Sequence, residues 1–213
     1  MIEFNGQSHR WTVVLNRFHF HGGKNMTPPQ HFIISWVVAN GISLNRRARL
    51  AITLAGILPD VDGLGYLIDR ANLRFDIYSH YYVEYHHLIA HNLFAGLLIA
   101  GVGAYFCQPK LMVFLLSLLT FHLHLLADLA GSMGGDGYQW PIYYLYPVLP
   151  DFTLTWSGQW ELSSWKNSAI GISFFITALI MARYKRVTFF EIFSTKLEKK
   201  VAEVARQRRF FKD

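Results

Sequence analysis

Along this chain the apolar residues fall into blocks separated by short polar interruptions, and the blocks predict helices. Leu88 to Phe106 is the first block long enough to cross a bilayer, which takes roughly 20 apolar residues; it is broken only by His91 and Asn92 near its start. A turn at Pro109-Lys110 leads into a second such block, Leu111 to Ala130. Ala169 to Ala182 is a third, sufficient to span once Trp165 and Tyr184 are included. Two shorter blocks come earlier. Pro28-Pro29 opens a helix running to about Ala39, since proline is tolerated in a first helical turn, where its missing N–H would be unpaired anyway. After the Asn40-Gly41 break, Arg46-Arg47-Ala48-Arg49 starts an apolar helix of about 11 residues ending at Pro59, too short to span alone. Residues 66–84 are polar and aromatic and predict a short helix and a loop. Gly131 to Trp165 is a glycine-rich and aromatic connection, of a length that usually carries function or small elements of its own.

The pattern predicts an all-α, multi-helix membrane-associated bundle with about three to four transmembrane helices. It divides into an N-terminal extension over residues 1–25, a helical membrane domain over 26–186 and a basic amphipathic tail over 187–213. The tail carries Phe189, Phe190, Ile192, Phe193, Leu197, Val201 and Val204 among its charges, which suits an anionic membrane face or packing against the bundle.

Composition supports a mixture of spans and polar segments: charged residues make up 16% of the chain, mean hydropathy is only +0.21, and 52% of residues are hydrophobic. The single cysteine, Cys107, excludes an intrachain disulfide and any thiolate metal cluster, so a metal site would be built from nitrogen and oxygen. The net charge of +6 sits mainly at Arg46–Arg49 and after Arg183, and suits an anionic lipid surface; no nucleic-acid partner is expected. If the three long blocks span, Lys110 and Arg183–Arg186 share one side, which the positive-inside rule makes cytoplasmic. His86, His91, Asp128 and the aromatic connection then gather at the other end. The expected location is the inner (cytoplasmic) membrane, multi-pass.

Candidate chemistry centres on Tyr85-His86-His87-Leu88-Ile89-Ala90-His91, where three imidazoles stand within six residues. Leu58-Pro59-Asp60-Val61-Asp62 places two carboxylates just past a proline, and His124-x3-Asp128 sets an imidazole and a carboxylate about one helical turn apart. His31 stands at the start of the first helix. Taken together, His31, Asp60, His86 or His87, His91, His124 and Asp128 are a set for one or two divalent ions, zinc first, manganese or iron as alternatives. Helical spacing from Leu88 onward favours His87, which would share a face with His91. Asp62 is the expected general base or bridging carboxylate. His122 lies roughly 240° around its helix from Asp128 and reads as a hydrogen-bonded core histidine, whereas His124 lies about 40° away. A divalent cation lowers the pKa of a water it holds towards neutrality, which allows attack on an ester or phosphodiester. No Gly-x-Ser-x-Gly elbow or phosphate-binding glycine loop is present.

Pro28-x-x-His31, Leu58-Pro-Asp-x-Asp62, His86-x4-His91 and His124-x3-Asp128 followed by Gly131 occur in an order that resembles the YdjM-like family of membrane-bound metal-dependent hydrolases, also described as LexA-binding and inner-membrane-associated. The resemblance covers residues 26–150. It implies an all-helical, multi-pass protein, and it favours His86 over His87 as a ligand. One stretch departs: the family's His-Arg-Gly-x-Thr-His-Ser reads here His86-His87-Leu88-Ile89-Ala90-His91-Asn92. The expected function is membrane-bound, metal-dependent hydrolysis of an ester or phosphoester, with membrane lipid and a small-molecule or lipid ester as partners. The alternative is a non-catalytic metal-binding scaffold or a protein that binds a regulator.

Overall fold

Asparagine side chains start two of the helices that carry this fold. Asn45 accepts a hydrogen bond from the Ala48 N–H and opens one, and Asn92 accepts from the Ala95 N–H and opens another. A computed structural model of the protein describes residues 28–211, apart from residues 76, 80 and 136 and the side chain of Val83. The extension expected over residues 1–25 lies outside the described residues. In order, the elements are α1 (Pro28–Gly41), α2 (Arg46–Ala55), a 3-10 helix (Leu58–Leu64), α3 (Gly65–Asn72), a 3-10 turn (Leu73–Phe75) and α4 (Tyr81–Tyr85). They continue with α5 (Leu93–Phe106), α6 (Lys110–Gly131), α7 (Trp165–Lys185), a 3-10 turn (Phe189–Ile192) and α8 (Thr195–Gln207). The fold is all-helical; among the described residues strand pairing is limited to isolated bridges, Met133 with Glu161 and Ile142 with Leu154.

Helix α1 packs on α2, α6 and α7, α2 also packs on α5 and α6, and α5 packs on α6. Small residues hold these crossings close: Ala39 and Ala48 pack with Ile52 and Val113, and Ala178 and Ala182 pack around the fully buried Trp36. Gly56, just past α2, needs its lack of a side chain, because a Cβ there would lie 1.9 Å from Ser35 Oγ. Helix direction alternates through α1, α2, α5, α6 and α7, so the polar ends sort into two groups. At one end Lys185 Nζ donates to the Asn40 carbonyl, and Asn45 Nδ2 donates to the Gln108 carbonyl at 3.1 Å. There, too, Arg46 Nε donates to the Glu191 carbonyl at 2.7 Å, while Arg49 pairs with the buried Glu191 carboxylate. This basic end carries the tail, whose Val187, Phe189, Ile192 and Phe210 pack into the Trp36 cluster.

Helices α6 and α7 are long and apolar enough to cross a membrane, and α2 together with residues 58–75 would make a third span, bent by 48°. The expectation of about three to four spans is corrected in one respect. Leu88–Phe106 does not form a spanning helix: α5 has 14 residues, about 21 Å at 1.5 Å per residue against a hydrocarbon core of about 30 Å. One cause lies at the helix start itself. Asn92 caps α5, and its Nδ2 donates to the carbonyls of Leu88 and Ile89, so those residues wrap back on the helix start. The outward faces of α5, α6 and α7 are nonetheless apolar, with Leu98, Phe106, Leu111, Leu126, Ile172 and Ile180 all exposed. A continuous exposed apolar surface of this kind suits contact with lipid.

Arg49→Ala leaves the Glu191 carboxylate buried without its guanidinium. Removing one partner of such a pair costs about 3–5 kcal/mol, so the thermal midpoint in detergent should fall sharply. An unchanged midpoint would mean that this pair does not fasten the tail to the bundle.

Candidate metal centre

The end of the bundle opposite the basic cluster collects the N-termini of α1, α5 and α7 and the C-termini of α2 and α6. His31 sits one turn into α1, His124 and Asp128 one turn apart near the end of α6, and Asp60 and Asp62 in the 3-10 helix after α2. His86, His87 and His91 lie in the non-helical link between α4 and α5. His31, His87, His91, His124 and Asp128 are all buried.

Hydrogen bonds set which nitrogen of each ring faces inward. His124 Nδ1 lies 2.9 Å from the Gly56 carbonyl oxygen, an acceptor only, so Nδ1 carries the hydrogen. His91 Nδ1 donates to Asp62 Oδ2 at 2.9 Å. In the neutral rings, Nε2 of both is therefore a lone-pair acceptor. These two Nε2 atoms face each other at 3.2 Å, and Asp128 Oδ2 lies 3.0 Å from His124 Nε2 and 3.3 Å from His91 Nε2. His31 Nε2 stands 3.3 Å from Asp128 Oδ1, with its ring stacked on His124 at 3.9 Å between centroids. Asp60 Oδ1 approaches His124 Nε2 to 3.7 Å, and His87 Nε2 approaches Asp128 Oδ2 to 3.9 Å. Ligand atoms from His31, His124 and Asp128 lie within 4.8 Å of one another, as do those from Asp60, His91 and His124 and those from His86, His87 and His91.

Acceptors gathered this closely repel unless something positive lies among them. Buried polar atoms are nearly always partnered, yet among the described residues Asp60 Oδ2 and the Nδ1 atoms of His31 and His87 are buried without a hydrogen-bond partner. The donor set and its orphaned atoms fit a divalent cation of the zinc, manganese or iron type. The carboxylates favour positive charge here, carried by a proton on His91 Nε2 or, in its place, by a metal cation. Burial works against charge on His91, but hydrogen bonds and charge from Asp128 and Asp62 outweigh it and push its pKa up to about 9. Burial, reinforced by His86 and His91, holds His87 well below the usual imidazole range, which keeps that ring a neutral donor of electrons.

Asp62 is bound into the histidine link. Its side chain is 1% exposed and both oxygens are taken: Oδ1 by His86 Nδ1 at 2.9 Å, Oδ2 by His91 Nδ1 and by the Ala90 N–H at 3.1 Å. Three of the carboxylate's four or so lone-pair sites are thus taken by His86, His91 and the Ala90 N–H, and Asp62 orients two histidines. The His86–His87 question also changes. The link is not helical, so the four-residue spacing of His87 and His91 carries no weight. His87 reaches the centre because its backbone is left-handed, with φ 68°, a conformation in which histidine is enriched but still uncommon. His86 is held back by Asp62 and stands at the outer edge. His122 lies outside the centre: Nδ1 donates to the Leu118 carbonyl at 2.7 Å and Nε2 meets Tyr144 Oη at 2.9 Å.

The connection between α6 and α7 folds over this end. Gln159 Nε2 donates to the Asp128 and Leu129 carbonyls, and its Oε1 accepts from the Trp140 N–H. Trp140 then stands 5.8 Å from the His86 ring and 5.6 Å from that of His87, while Tyr82 stacks on His86 at 4.6 Å. Trp140, Tyr82 and the Gly56 carbonyl escaped sequence reasoning. Only the aromatic richness of residues 138–146 hinted at Trp140, and nothing marked a backbone carbonyl.

No protein family, curated protein or solved structure matches the chain.

Outer hydrogen-bond partners of metal-binding histidines usually matter by 10–100-fold in affinity. Asp62→Asn should therefore weaken zinc binding by about that factor, read by competition with a chromophoric chelator. Retention of full affinity would remove Asp62 from its orienting role.

Proposed function

We propose that this protein is a membrane-embedded, metal-dependent hydrolase of an ester or phosphoester, and a member of the YdjM-like family that its motifs resemble. The observation that carries the reading is the meeting of the His91 and His124 lone pairs with the Asp128 carboxylate at 3.0–3.3 Å, inside a buried pocket. His31, Asp60, His91, His124 and Asp128 hold the cation, zinc first. His87 adds a further nitrogen that supports a second ion. A bound divalent cation supplies activation of water and polarisation of the scissile group. The chain's own residues do the rest. Asp62 and the Gly56 carbonyl keep His91 and His124 in the tautomer that points Nε2 inward. Tyr82 and Trp140 shield the centre from bulk water. His86, held by Asp62 and with a side chain 13% exposed, is the group we assign to pass a proton to the leaving oxygen.

The protein sits in the inner membrane as a multi-pass protein, with the basic end cytoplasmic and the metal centre at the outer end. The charge distribution supports this: Arg46, Arg47, Arg49, Lys110, Arg183, Lys185 and Arg186 all belong to the end away from the centre. Membrane lipid is the first substrate class, and a regulator protein remains a candidate partner.

Metal content of the detergent-purified protein should reach one or two equivalents and vanish in a His124→Ala, Asp128→Ala double variant, along with hydrolysis of a panel of phosphoesters and lipids. A metal-free parent, folded and supplied with zinc, would replace the enzyme with a non-catalytic scaffold.

Orientation has its own test. In a Cys107→Ser background, Asp151→Cys should react in intact cells with a maleimide that does not cross the inner membrane. Labelling only after the membrane is opened would invert the topology.

A further inference from the structure

Beside the metal centre lies a cleft of about 260 Å³, walled by Tyr138, Trp140, Tyr143 and Tyr146, with His86 and Glu84 completing its polar side. Among the described residues no lysine or arginine lines it. We propose that this cleft binds a substituted ammonium group, and so selects a zwitterionic substrate whose ester or phosphoester lies toward the metal centre. The inference rests on the hydrolase reading and names its substrate class.

Three features converge on this ligand. Aromatic faces carry a negative quadrupole and attract cations, most strongly those with a weak hydration shell, such as quaternary ammonium groups. Glu84 is exposed on α4 and engages no hydrogen bond or ion pair among the described residues, so its charge is free to act on the cleft. The same cleft suits a bare anion poorly, because Glu84 is the one residue of fixed charge among the described residues that line it. Trp140 belongs to both spaces: it lines the cleft and stands 5.8 Å from the ring of His86. A molecule with its ammonium group against Trp140 therefore has its next few atoms beside His86, the residue assigned to the leaving oxygen. Choline- and ethanolamine-bearing esters have this layout, a cation separated from the scissile group by a two-carbon link. The cleft lies at the histidine end of the bundle, and α3, which packs on α4, exposes the apolar side chains Leu67 and Ile68.

The test is direct binding to the full chain in maltoside detergent, measured by calorimetry. Choline is compared with its carbon isostere neohexyl alcohol, which has the same shape and no charge, and with a short-chain phosphatidylcholine. Choline should bind at least ~10-fold tighter than the isostere, the scale of a desolvated cation–aromatic contact. Glu84→Gln should cut choline affinity several-fold, leave the isostere unchanged and keep the metal content of the parent. Tighter binding of the phospholipid than of choline identifies a lipid substrate; equal binding identifies a soluble ester of the same headgroup. Equal affinity for choline and the isostere, or no choline binding, overturns the proposal. Metal content separates the two failures: a chain with metal and no choline binding keeps the hydrolase and loses this subsite, whereas a chain with choline binding and no metal does the reverse.

Discussion

One buried carboxylate governs the geometry of the histidine-rich end. Asp62 accepts from His86 Nδ1, His91 Nδ1 and the Ala90 N–H, and these three donors all come from the link between α4 and α5. A helix running through residues 86–92 could not turn all of them toward one side chain. The link therefore breaks, His87 takes a left-handed conformation, and Asn92 restarts the helix at Leu93. The cost of that strained residue, on the order of 1–3 kcal/mol, is offset by a buried carboxylate satisfied at both oxygens. The same contacts decide which nitrogen of His91 faces Asp128.

The rest of the bundle serves to hold that end in register. Small residues bring α1, α2, α6 and α7 close enough for side chains from separate helices to meet, and Gly56 lets the end of α2 approach Ser35 while offering its carbonyl to His124. At the far end Glu191 and its arginines fasten the tail beneath the helices. The polarity of the molecule is thus physical: a network of fixed cations at one end, a network of histidines and carboxylates at the other, and apolar faces between.

Much of this was legible in the sequence, and the exceptions share one cause. Apolar blocks marked α1, α2, α6 and α7, and the aromatic connection from Gly131 to Trp165 begins and ends where α6 stops and α7 starts. Residues with clear local signals, such as Pro28 at a helix start or His124 and Asp128 a turn apart, sit where periodicity puts them. The start of α5 was not legible because Asp62, far away in sequence, competes for the backbone there. Nor was the role of Asp62: its residue type allows a base, a bridge or an orienting group, and only the identity of its neighbours separates them. The choice between His86 and His87 was not legible either: spacing favoured His87 on the assumption of a helix that this link does not form, and the motif resemblance favoured His86.

The shortness of α5 has a mechanical consequence. In a bilayer, a stretch of about 21 Å beside a neighbour of about 33 Å is a hydrophobic mismatch, which lipids relieve by thinning locally. In such a bilayer the thinning would fall along the face where α5 begins, at the level of the histidine link. Were the bundle embedded as proposed, lipids there would stand lower than the surrounding leaflet, and a headgroup would come near the buried centre without leaving the membrane. Access would then depend on bilayer thickness as well as on the shape of the protein.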